Sequence, residues 1–229
     1  MRSNPESFLR HDLPYLGNVE GKRVANLLGS NGRKAVPLSL LGADVSVVDI
    51  SPEGARYALE LAEAAGVHIN YLVTDVNELP VQELANSFDL VYMEGGVFHY
   101  FADLSHIAKI IYTILLPGGR LVASDFHPII KCLSVSEGRG LLAGNYFDEQ
   151  FHEVDVAYQQ FFPEEEQNDF PKCKLRYWTM GEIVTAFAGV GLTIEQLVES
   201  PHPQLADIPG QFVLTATKPE DLPGPQVAA

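Results

Sequence analysis

The sequence predicts a doubly wound α/β domain with a mostly parallel sheet of seven strands. Three observations carry that expectation. Five short apolar runs alternate with helical patterns across residues 20–125, which calls for parallel pairing through crossover helices. Right-handed crossovers then place helices on both faces. Most of these runs stop at a carboxylate or a glycine-bearing turn, the punctuation expected where strands leave a sheet. Two further strands near the C-terminus are joined without a helix, which makes the final strand antiparallel.

Each element follows from local chemistry. Arg23–Leu28 is a short apolar strand, followed by the turn Gly29-Ser30-Asn31-Gly32 and a helical pattern over Arg33–Leu41 that stops at Gly42. Asp44–Asp49 is a second strand, rich in β-branched residues. Ser51 is a good N-cap, with Pro52 at the first helical position and Glu53 favourable to the helix dipole. That helix, Glu53–Ala65, ends at Gly66. Strand His68–Val73, a short helix over Val76–Asn86, strand Phe88–Met93 and a helix over Asp103–Leu115 continue the alternation. Leu116-Pro117-Gly118-Gly119 is a helix end and tight turn, and it leads into strand Arg120–Ser124, which finishes on Asp125. The pattern breaks at Phe126 and resumes near Trp178. Thr179-Met180-Gly181-Glu182 is a capping box opening a helix that closes at Gly189. Thr193–Glu199 and Gln211–Lys218 are the last two strands, linked by the proline-bearing segment Pro201–Pro209.

Length and composition fit one domain. An apolar fraction of 46% and a charged fraction of 20% are those of a soluble globular chain. A formal net charge of −15 argues against nucleic-acid binding, which draws on Lys and Arg. Cys132 and Cys173 are too few for a disulfide framework or a metal site, so no metal is expected. The N-terminus has no apolar leader run and no stretch approaches the roughly 20 apolar residues that span a bilayer. A cytoplasmic location without membrane attachment is therefore the expectation. The divisions expected are an N-terminal cap over 1–20, a core over 21–125, an inserted segment over 126–178, a final helix and hairpin over 179–218, and a frayed tail over 219–229.

Ligands of open α/β sheets bind beyond the carboxyl ends of the strands, so the strand-terminating residues are the candidates. Backbone amides of Gly29, Ser30 and Asn31, with Gly32 closing the turn, can receive an anionic group. Asp49 ends the second strand about 20 residues later, the separation of a carboxylate that grips a ribose diol. The order of these units, with Leu116-Pro117-Gly118-Gly119-Arg120 as the fifth, resembles the class I S-adenosylmethionine-dependent methyltransferases. The resemblance is good over roughly residues 20–125 and looser beyond. It implies a Rossmann-like sheet ending in a hairpin and S-adenosylmethionine as cofactor. Ile50 would then pack on the adenine, Asp75-Val76 would meet the adenine amino group, and Glu94-Gly95-Gly96 would lie at the methionine end, with Ser51 a further cofactor-binding candidate. The first segment departs from the family's acidic residue plus Gly-x-Gly-x-Gly: Asn26 holds the acidic position, and Leu28 and Ser30 replace two glycines.

The segment 126–178 holds 10 of the 22 aromatic residues, too many for a surface linker. Val154, Val156 and Tyr158 alternate with polar neighbours as an edge strand or hairpin would, while Glu164-Glu165-Glu166 reads as a solvated turn. One use is a lid over an apolar substrate pocket, with Tyr100, Tyr146 and Phe147 as substrate-binding candidates. The other is an extension of the core or a homodimer contact. His127 and His99, after strands five and four, are the candidate bases, His127 foremost because Pro128 restrains it. The resulting expectation is methyl transfer to an oxygen or nitrogen atom of a small molecule. A catalytically inactive module that binds S-adenosylmethionine or a protein partner is the alternative. A nicotinamide-dependent oxidoreductase fits less well, because the first turn is not Gly-x-Gly-x-x-Gly.

Overall fold

A 3-10 turn at Glu6–Phe8 and a one-turn helix, α1 (Leu13–Leu16), precede the first strand, β1 (Arg23–Leu27). The computed structural model describes residues 1–136, 139–156, 159, 162–167 and 170–220. Tyr158 and Phe161 of the aromatic segment, and the tail from 221 onward, lie outside the described residues. β1 is buried from Val24 to Leu27, as a strand covered on both faces must be. α2 (Ala35–Leu40) starts two residues later than expected, and β2 (Asp44–Asp49) matches its expected span. α3 (Pro52–Ala65) opens on Ser51, whose hydroxyl accepts from the Gly54 amide, and closes on Gly66 at φ 70°. β3 (Asn70–Val73) follows.

The helix expected over Val76–Asn86 is replaced by a 3-10 turn at Val76–Glu78. Pro80 offers no amide and holds Leu79 extended at ψ 134°, so the first turn cannot propagate. β4 (Phe88–Glu94) leads through a 3-10 turn at Phe98–Tyr100 to α4 (Leu104–Ile114), capped by the Asp103 side chain. β5 (Leu115–Phe126) is longer than the expected Arg120–Ser124. It takes in Pro117-Gly118-Gly119, where Gly118 turns to φ 75° as the expected tight turn requires, and its register against β4 slips there.

Among its described residues the inserted segment holds two small antiparallel pairs, β6 (Leu133–Ser136) with β7 (Arg139–Leu142), and β8 (Phe151–Asp155) with β9 (Lys172–Arg176). Between β8 and β9, α5 (Glu164–Gln167) forms one helical turn where a solvated turn was expected. The complete capping box of Thr179 and Glu182 opens α6 (Met180–Gly189). β10 (Thr193–Pro201) and β11 (Pro209–Thr217) form the closing hairpin.

The main sheet has seven strands in the order β10-β11-β5-β4-β1-β2-β3, and β11 alone runs antiparallel to its neighbours. Strand order reverses between β1 and β4. β4 divides its side chains between two cores. Val91 and Met93 join Ile107, Ile111 and Phe187 of α4 and α6, whereas Leu90 and Tyr92 join Val36, Ala58 and Ala62 of α2 and α3. Leu9, Leu16 and Val19 extend the second core, so the N-terminal segment covers that face. No helix among the described residues is long and apolar enough to cross a membrane.

Tyr92 is fully buried, and its hydroxyl donates to the buried Asp12 carboxylate at 2.5 Å, tying β4 to the N-terminal segment. Tyr92→Phe leaves that carboxylate without its donor. The variant should lose about 1–3 kcal/mol of stability in urea unfolding while keeping the native far-ultraviolet circular dichroism.

Candidate active site

The turn after β1 keeps a left-handed backbone at Leu28 (φ 52°), Ser30 (φ 47°) and Gly32 (φ 73°). For a residue with a Cβ this costs about 1–2 kcal/mol, so the surroundings must hold it. The Ser30 amide donates to Asp49 Oδ2 at 2.9 Å, and the Tyr71 hydroxyl donates to the Ser30 carbonyl at 2.7 Å. At Gly29 no side chain fits, since a Cβ would stand 2.5 Å from Asn26 Oδ1. Gly32 serves packing instead: its Cβ would stand 2.7 Å from that of Ala58 on α3.

A cavity of about 680 Å³ opens at the carboxyl ends of β1 to β4, where the strand order reverses. Gly29, Ser30, Asn31, Asp49, Ile50, Asp75, Val76, Glu94 and Gly95 all line it, so nine of the eleven cofactor candidates converge. Gly32 and Ser51 lie outside the lining, the one against α3 and the other as the α3 cap. Asp49 braces two turns, because Oδ1 accepts from the Ser51 amide at 2.9 Å while Oδ2 holds Ser30. The Ser30 amide is thus already engaged, contrary to the expectation that it faces an anion. Asp75 caps the 3-10 turn by accepting from Asn77. Burial raises the pKa of Glu94, opposed by Lys34, whose ammonium lies 3.6 Å away and also donates to the Phe8 carbonyl. Asn26 Oδ1, buried in the lining, has no hydrogen-bond partner among the described residues. Such an orphaned acceptor suits a ligand that brings a donor.

A second cavity, of about 330 Å³, lies between the turn after β4 and the β8–β9 pair. It shares Gly95, Gly96 and Tyr100 with the first and is otherwise walled by His99, Phe126, Lys131, Val154, Leu175 and Tyr177, among others. Asp125 fixes the shared wall. Its Oδ2 accepts from the Val97 and Phe98 amides at 2.9 Å each and its Oδ1 from Phe126. Burial raises its pKa, and the backbone donors pull it back. Trp178 adds a donor to the Phe98 carbonyl at 3.1 Å. His99 is pushed down to about 4, by burial first and then by the Lys131 ammonium. It is therefore neutral at physiological pH.

Three candidates stand apart from this second cavity. His127 is 7% exposed and turned across the sheet, with Nε2 2.7 Å from Glu199 of β10 and Nδ1 accepting from Ile129. Pro128 does restrain it, but within a 3-10 turn that directs the ring away from both cavities. Tyr146 accepts from the Met180 amide at 2.9 Å and so buttresses α6, while Phe147 packs edge-on against it and is 75% exposed. No group of three or more His, Cys, Asp or Glu among the described residues is arranged to hold a metal.

Residues 28–123 match the family of methyltransferase domains. Over these residues the chain is similar to methyltransferase domains. It is 35% identical over 109 residues to a demethylmenaquinone methyltransferase of Thermus thermophilus, covering 47% of this chain and 48% of that one. Over 113 residues it is 30% identical to a ubiquinone biosynthesis O-methyltransferase of Methylocella silvestris, covering 49% of this chain and 43% of the relative. The chain thus spans less than half the length of these two curated relatives. An S-adenosylmethionine-dependent methyltransferase from Mesorhizobium loti superimposes with a TM-score of 0.67 at 23% identity, over 90% of this chain and 97% of that one, a likeness of fold.

Four residues of the site escaped sequence reasoning. Asn26 stood out only as a departure from the family pattern, and Asp125 only as a strand end. Lys131 and Tyr71 gave no local signal, since each acts through a partner distant in sequence.

His99 also links pH to stability. Its folded pKa lies near 4, below the ordinary 6.5, so the unfolded chain binds the proton more readily between those values. Its contribution is complete above pH 6.5 and fades as pH falls toward 4. Urea unfolding at pH 7 and pH 5 should show a smaller acid-induced loss in His99→Gln than in the native protein.

Proposed function

We propose that this domain transfers the methyl group of S-adenosylmethionine to an oxygen or nitrogen atom of a small molecule carrying a flat ring. The observation that carries this reading is the meeting of the two cavities at Gly95, Gly96 and Tyr100. When bound, the cofactor supplies an electrophilic methyl group on a cationic sulfur. Asp49 offers its remaining lone pairs to the ribose hydroxyls, and Ile50, 70% exposed at the rim, offers an apolar face to the adenine. Asp75 beside buried Val76 accepts from the adenine amino group. Gly29 and Asn31 of the first turn, with Glu94, Gly95 and the orphaned Asn26 Oδ1, receive the amino-acid end, where the ammonium supplies the missing donor.

Methyl transfer is a direct displacement, so alignment is the protein's main contribution, about 7–11 kcal/mol. Tyr100, Phe126 and Tyr177 suit a planar acceptor, and a quinone-type ring like those in the relatives' names is one such group. His99 lines this cavity as a neutral imidazole and can take the acceptor's proton or its hydrogen bond. As a weak base it favours an acceptor whose proton is already acidic, and the nearby Lys131 ammonium stabilises the anion left behind. The alternative of an inactive module drew on the missing glycines. Leu28 and Ser30 adopt the left-handed backbone regardless, which weakens it.

Calorimetry with S-adenosylhomocysteine and NAD tests the cofactor reading: the first should bind and the second should not. Asp49→Ala should weaken S-adenosylhomocysteine by about 10–100-fold, and unchanged affinity in a folded variant would remove Asp49 from the site. In a methylation assay, His99→Ala should slow transfer by about 10²-fold while His127→Ala stays near native. The reverse ranking would return the base to His127. Cofactor binding with no turnover across a panel of ring acceptors would favour the inactive module.

A further inference from the structure

The left-handed turn at Ser30 is held from both sides of a single residue. Its N–H goes to Asp49 at the end of β2, and its C=O receives the Tyr71 hydroxyl from β3. Gly54 in the first turn of α3 makes room for this contact: a Cβ there would stand 3.0 Å from the Tyr71 oxygen and 3.1 Å from the Ser30 carbonyl oxygen. We infer that Tyr71 is a positioning residue of the cofactor site, its hydroxyl holding the Ser30 peptide in the conformation that glycine would adopt unaided. The inference rests on the cofactor reading above and assigns a role to a strand residue that does not itself line the cavity.

The chemistry is consistent on each side. Burial, with the Asp49 charge second, raises the Tyr71 pKa, so the phenol stays protonated and remains a donor. Asp49 is shared: it grips the Ser30 amide and also faces the cavity. If Ser30 relaxes out of the left-handed region, its amide leaves Asp49, and the carboxylate loses the partner that fixes its rotamer. Loss of a hydroxyl on β3 thereby reaches the ribose position through two hydrogen bonds.

Tyr71→Phe keeps the ring and removes only the donor. By calorimetry, the variant should bind S-adenosylhomocysteine about three- to tenfold more weakly than the native protein. Adding Ser30→Gly to Tyr71→Phe should restore most of the affinity, because glycine takes positive φ without support. Without any ligand, the Ser30 amide should exchange hydrogen at least about tenfold faster in Tyr71→Phe, since local opening follows the loss of the contact. Native-like affinity together with native-like Ser30 exchange would overturn the inference. Weakened binding that Ser30→Gly fails to restore would also overturn it, by showing that the hydroxyl acts elsewhere. Should the native protein bind no S-adenosylhomocysteine, the cofactor reading fails, while the exchange rate of Ser30 still decides whether Tyr71 holds the turn.

Discussion

Asp125 gives up most of its hydration where β5 ends, and backbone amides of the neighbouring strand's turn take the place of water. A buried carboxylate without such donors would be costly enough to neutralise itself or reorganise its surroundings. Here the need is met by the Val97 and Phe98 amides, and in meeting it the chain after β4 is fixed. His99 and Tyr100 are the next residues along. The turn that carries them packs against β9.

The same device recurs across the switch point. Asp49 at the end of β2 grips the turn after β1, as Asp125 near the end of β5 grips the turn after β4. β1 pairs with β2 and β4 with β5 in parallel register, so each carboxylate reaches sideways to the adjacent strand. The two turns form opposite walls of one cavity. Parallel strands deliver their carboxyl ends at the same edge of the sheet, and a carboxylate there meets a neighbour's unpaired amides. The cavity is held open by polar groups that the strands themselves leave unsatisfied.

Local chemistry made most of the fold legible. Ser51, Pro52 and Gly66 bracket α3, and Thr179 with Glu182 opens α6, because caps are decided within a few residues. The strand ends that line the larger cavity were readable for the same reason. Pro80 is equally visible in the sequence, and the expected Val76–Asn86 helix runs through it against the chemistry of proline. The direction of His127 was not readable. It depends on Glu199 of β10, which the closing hairpin sets across β11 from the end of β5. Tyr146 and Phe147 failed similarly: aromatic excess reveals that a segment must bury surface, not which member faces the pocket and which braces a helix.

The base of the inserted segment is tied down on several sides. Arg176 lies 3.4 Å over the Trp178 ring and pairs with Glu182, Trp178 donates to the Phe98 carbonyl, and Tyr146 meets the start of α6. A hinge at that base would break all of these together, which sets the base of the β8–β9 pair apart from its far end. There Asp155 and Lys172 pair across the two strands, half exposed to solvent. Dissolved ions weaken such a pair but leave the buried anchors intact. Ionic strength therefore loosens the far end of the β8–β9 pair before it touches the base, so the two ends of one small sheet answer to different solution conditions.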